Sequence, residues 1–101
     1  MMLLLFLLLS RSSMIDASTD VAKKDLVLID QATQLYRVQY RGACPADVAA
    51  LAHATKAKVA TRDPWGTDYA LSCPTETTVL VRSAGPDTKF GTDDDLDNTQ
   101  D

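Results

Sequence analysis

Between Asp16 and Arg41 the chain has neither Gly nor Pro, and apolar residues return every three or four positions. Ala22, Leu26, Ile29, Thr33, Tyr36 and Tyr40 fall on one stripe, flanked by Leu28, Ala32 and Leu35, which is the period of an amphipathic helix. Lys23, Lys24, Asp25, Asp30, Gln34 and Arg37 populate the opposite face. Ser18 or Thr19, followed by Asp20, offers a local cap if the helix breaks there. Otherwise one long rod continues from the apolar N-terminus. Gly42 supplies the left-handed position that ends a helix, and Pro45 prevents resumption.

A second, shorter helix is predicted over 46–60, with Pro45 in its first turn and Val48, Leu51, Ala52 and Val59 on its buried side. Its one histidine, His53, sits among alanines and receives no role. Arg62-Asp63-Pro64-Trp65-Gly66 is a turn signature, and Trp65 is expected to cap the core beside it. Three β-like runs follow: 68–72, 77–83, and a weaker one near Lys89-Phe90. Thr77-Thr78-Val79-Leu80-Val81 carries the strongest strand composition. Helix first and strands afterwards predicts an α+β fold, a long N-terminal helix on a small three-stranded antiparallel sheet.

Length bounds this picture to one domain with a modest core, at 101 residues. The apolar run Met1–Leu9 is about half of the ~20 residues that cross a bilayer. It is also a poor signal peptide, with no Lys or Arg before it and no A-x-A site after it. Residues 1–17 therefore read as the distal half of a membrane or export helix, a short signal sequence being the competing reading, and 18–101 read as the globular domain.

Charge is distributed unevenly. Residues 83–101 hold six Asp against one Lys, a balance of −5 within a whole-chain charge of −4. The remaining body is close to neutral, which argues against nucleic acid as a partner. Cys44 and Cys73 are each followed by Pro and form no C-x-x-C; with a single His they make no zinc set. A disulfide between them is the favoured use and points to an extracytoplasmic compartment. Two buried free thiols are the alternative.

The acidic end gathers Asp87, Asp93, Asp94 and Asp95 with turn formers Gly85-Pro86 and Gly91. Oxygen-only ligands on a bent loop suit a hard cation, Ca²⁺ above all. A solvated acidic tail is the bland alternative. Asp93-x-Asp95-x-Asp97 opens like an EF-hand loop, but Asn98 stands where the glycine belongs and the chain stops before a twelfth-position Glu. No Ser/His/Asp set, no phosphate-cradling loop and no second histidine support an enzyme.

In order along the chain, Leu35-Tyr36, Cys44-Pro45, Asp63-Pro64-Trp65-Gly66 with Tyr69, Ser83-Ala84-Gly85-Pro86-Asp87 and Gly91-Thr92-Asp93-Asp94-Asp95 resemble the major (G-type) pseudopilins of bacterial type II secretion, over roughly residues 20–98. The resemblance implies a type IV pilin-like fold with a C-terminal calcium loop. It implies a structural subunit of the periplasmic pseudopilus, anchored in the inner membrane through its N-terminal helix and assembled with its own copies and other pseudopilins. Asp87, Asp94 and Asp95 match the family's side-chain calcium ligands, and Arg82 and Ser83 are the candidates for backbone carbonyl ligands. Asp93 falls outside the site.

Three features depart from the family. The basic leader, the glycine cleavage point and F-T-L-x-E are missing, and Tyr36 comes too early for the usual helix, which suggests a start placed too late. The segment from Pro45 to Asp63 is short. The cysteine pair is a local addition. The alternative function is an exported calcium-binding module that never polymerises, using the leucine run only as a signal.

Overall fold

The computed structural model describes residues 2–99, with side chains from residue 17 onward. Helix α1 spans Met2–Gln39 without a break, so the Ser18/Thr19 cap is not used and the rod reading holds. The side chains of the export segment assigned to 1–17 lie almost entirely outside the described residues. Among those described, no helix is long and apolar enough to cross a membrane.

The α1 stripe buries as its spacing requires from Ala22 to Thr33, is half-buried at Tyr36 and ends exposed at Tyr40. Ala22, Leu26, Ile29 and Thr33 are all but inaccessible, and Thr33 satisfies its buried hydroxyl by donating to the Ile29 carbonyl at 2.8 Å. Tyr36 is half-buried and stacks on the exposed Tyr40, with ring centroids 4.4 Å apart. Arg37 overturns its polar-face assignment. It is 7% exposed, and its guanidinium crosses to the Thr78 and Thr75 carbonyls at 2.8 and 2.9 Å. Leu28 and Leu35, the flanks of the stripe, remain about half exposed. The helix closes through two left-handed residues, Arg41 and Gly42, with the Gly42 amide donating to the Arg37 carbonyl at 2.6 Å. That six-to-one bond is the mark of a Schellman closure.

Helix α2 is shorter than its apolar pattern suggests, Val48–Thr55. Asp47 caps it by accepting from the Ala50 amide at 2.7 Å, and Lys56 ends it in the left-handed region. A capping carboxylate and a left-handed exit define the ends more sharply than Pro45 and the alanines. Val48 and Leu51 are buried and His53 is exposed.

The sheet has three antiparallel strands, β1 Ala70–Ser72, β2 Leu80–Ser83 and β3 Leu96–Asp97, in the order β1-β2-β3. Register places Ala70 opposite Arg82, Leu71 opposite Val81, and Ser83 opposite Leu96. The expected strand near Lys89-Phe90 is instead turn; the third strand lies further on. Thr77, Thr78 and Val79 also fall outside β2, because Thr75 and Thr78 bind each other's hydroxyls and turn the chain before Leu80.

Helix α1 lies against the sheet, and α2 packs beside α1. Leu26, Ile29, Val48, Leu51, Tyr69, Val79 and Val81 form the core, with Tyr36, Leu71 and Leu96 packed against it. Each large aliphatic member contributes about 1.5–3 kcal/mol by leaving water. Trp65 is not among these residues and is half-buried, whereas Tyr69 is the buried aromatic of this core. Cys44 and Cys73 form a disulfide with Cα atoms 6.0 Å apart.

Candidate metal centre

Strand β2 delivers the chain into the acidic loop. Gly85 follows with φ +79°, and a Cβ built there would lie 2.2 Å from the Asp94 carbonyl oxygen. Only glycine permits this approach, which brings the S-A-G-P-D segment against the G-T-D-D-D segment. The Thr88 amide donates to the Gly85 carbonyl at 3.0 Å, closing a turn with Pro86 at its second position.

Folding then converges three carboxylates. Asp87, Asp94 and Asp95 each offer one oxygen within 4.8 Å of the others. Loop amides hold them: Asp87 donates to Asp94 Oδ2 at 3.2 Å, Lys89 to Asp87 Oδ1 at 2.9 Å and Gly91 to Asp95 Oδ2 at 2.7 Å. The Thr92 hydroxyl donates to Asp94 Oδ1 at 2.5 Å and lies 3.3 Å from Asp95 Oδ1. The Lys89 amide, and after it the Thr92 hydroxyl, hold the exposed Asp87 carboxyl below the usual carboxylate range.

The donor set is all oxygen and all anionic, and the room at Gly85 lets it close. It fits a hard, multiply coordinated dication such as Ca²⁺ and offers no sulfur or imidazole to a softer metal. Arg82 and Ser83, the candidate carbonyl donors, both lie in β2 where it enters the loop. Their side chains are engaged elsewhere. The Arg82 guanidinium sits 5.2 Å over the Phe90 ring, and Ser83 Oγ donates to Asp63 Oδ2 at 2.7 Å. Asp93 is exposed and outside the cluster, and Asp97 belongs to β3, which removes the EF-hand alternative.

Two contributors were not anticipated. Thr92 bridges two of the carboxylates, a role to which its neighbouring aspartates were the available signal. Asp63 is 5% exposed and reaches the loop entrance through Ser83. Its local sequence marks only a turn, and nothing in it points twenty residues ahead.

A long N-terminal helix laid on a three-stranded antiparallel sheet, with an acidic loop beside the last strand, defines a type IV pilin-like protein. The family model of the type II secretion system (T2SS) protein G matches residues 11–100, and the chain belongs to this family; it is a G-type pseudopilin. Its architecture is similar to the major pseudopilin from the type 2 secretion system of enterohaemorrhagic Escherichia coli, known from a crystal structure. The TM-score is 0.68 at 24% identity, covering 87% of this chain and 91% of that one. No curated protein matches the chain by sequence. The family is structural, and the chain is not an enzyme.

Proposed function

We propose that this pseudopilin is a filament subunit of a periplasmic pseudopilus whose C-terminal loop is stabilised by Ca²⁺. Asp87, Asp94 and Asp95 hold the ion, and the backbone carbonyls of Arg82 and Ser83 complete its shell. Copies of the chain assemble with one another and with other pseudopilins, and the apolar start of α1 faces the inner membrane. The observation that carries the calcium part is the convergence of three carboxylates within 4.8 Å. Like charges this close repel, and a bound dication reverses the sign of that contribution.

The ion acts by linkage. It binds the folded loop and not the unfolded chain, so it adds about 2.7 kcal/mol at a hundredfold excess over Kd. For a chain of this size that is a large share of the total. Thermal melting of the full chain with calcium, then with chelator, tests this. A midpoint raised by calcium and lowered again by chelator supports it; equal midpoints remove the metal from the function.

A further inference from the structure

The D-P-W-G turn buries a carboxylate. Asp63 Oδ1 accepts from the Trp65 and Thr67 amides at 3.1 and 2.9 Å, and Oδ2 accepts from the Ser83 hydroxyl at 2.7 Å. All three donors are neutral. A buried anion is costly unless its bonds are kept, so this side chain resists displacement of any of its partners. Ser83 is fully buried, and its Oγ accepts in turn from the Gly85 amide at 3.2 Å. Gly85 is the residue pressed against Asp94. One continuous path therefore runs from the turn to the acidic loop through the Asp63 and Ser83 side chains.

We propose that Asp63 is the positioning residue of the acidic loop. Through Ser83 Oγ and the Gly85 amide it sets the approach of Gly85 to Asp94, and with it the spacing of Asp87, Asp94 and Asp95. The effect on cation affinity rests on the calcium reading above; the effect on loop order does not. Surrounding hydrogen bonds that orient ligands commonly govern metal affinity as strongly as some ligands do.

Asp63→Asn keeps the turn acceptor and removes the acceptor for Ser83, while Ser83→Ala removes the hydroxyl and leaves the turn intact. Both variants and their double are made in the full chain. Amide hydrogen exchange at Gly85, Gly91 and Asp95 is followed without calcium, and calcium affinity is measured by calorimetry. Either variant is expected to speed exchange at these three amides while Leu26 and Ile29 keep wild-type rates, and to weaken calcium about tenfold. The double variant is expected to be no weaker than the worse single one, because Ser83→Ala already removes the Asp63–Ser83 bond that Asp63→Asn breaks, together with the Gly85 bond. Wild-type exchange at the loop amides overturns the proposal, as does equal acceleration at Leu26 and Ile29 or unchanged calcium affinity. A wild-type chain that takes up no calcium ends the calcium reading instead, and loop exchange alone then decides this one.

Discussion

The Tyr69 hydroxyl donates to Asp25 Oδ2 across 2.7 Å, joining the residue before β1 to the middle of α1. Tyr69 is 4% exposed, so its bond closes a polar contact at the edge of the core. Burial first, and then the bond to Asp25 and the charges of Asp25 and Asp63, push its ionisation far above the ordinary tyrosine value. Tyr69→Phe removes the donor and leaves a partly buried carboxylate without it. The expected loss is about 1.5–3 kcal/mol at neutral pH, read from denaturant melts.

The same contact gives a pH dependence with a definite sign. Above pH ~10 the unfolded chain releases the Tyr69 proton while the folded chain keeps it, so stability falls as pH rises further. Below that pH both states hold the proton and this contribution is constant. Tyr69→Phe lacks the alkaline loss, so the stability gap between wild type and variant should narrow above pH ~10. A gap that stays constant into strongly alkaline solution contradicts the assignment.

Asn98 extends the short third strand with a side chain. Its Oδ1 accepts from the Val81 amide at 2.9 Å, and its Nδ2 donates to the Val79 carbonyl at 2.8 Å and to Asp30 Oδ2 at 2.9 Å. One residue thereby fastens the C-terminal end to both β2 and α1. Asn98→Ala strands two backbone groups of the β2 segment, with an expected cost of about 2–3 kcal/mol. Asn98→Asp keeps the acceptor but brings a second charge to Asp30, and should be destabilised less at acid pH than at neutral pH. Thermal melts of both variants across pH check this pair of outcomes.

The buried stripe on α1 was legible because helical period alone sorts Leu26 and Ile29 from Lys23 and Lys24. The acidic loop was legible because Gly85-Pro86 and Gly91 mark turns between aspartates. What escaped depends on distant partners. Arg37 lies on the side of α1 assigned to solvent, and only the Thr75 and Thr78 carbonyls, brought over by the sheet, draw it inward. Strand β3 has two residues and exists because Arg82 and Ser83 are there to pair with it. Phe90 looked strand-like by composition, yet its ring serves the Arg82 guanidinium in a turn. Asp63 was a turn residue by local pattern, and its tie to Ser83 is set by tertiary structure.

The disulfide joins the segment after α1 to the one after β1, a separation of 29 residues. In the chain-entropy model a loop of this size contributes roughly 3–4 kcal/mol, by restricting the unfolded chain. Cys73 also sits close in sequence to Thr75 and Thr78, whose carbonyls receive Arg37. Reduction, or the Cys44→Ala/Cys73→Ala double variant, is expected to lower the melting midpoint substantially while leaving the α1 helix signal in circular dichroism. An unchanged midpoint on complete reduction rules out a stabilising bridge.

Gly85 and Gly91 separate backbone strain from site geometry. Both have positive φ, +79° and +89°, so alanine at either costs about 1–2 kcal/mol in conformation. At Gly91 the added methyl meets nothing within 4 Å, whereas at Gly85 it overlaps the Asp94 carbonyl. Gly91→Ala should therefore lower the calcium-free midpoint modestly and retain the calcium-induced rise, since its amide still reaches Asp95. Gly85→Ala must push the Asp94 backbone away and part the carboxylates, so its calcium-induced rise should vanish. Paired melts of the two variants, with and without calcium, decide it. Equal calcium responses mean that the approach of Gly85 to Asp94 does not build the site.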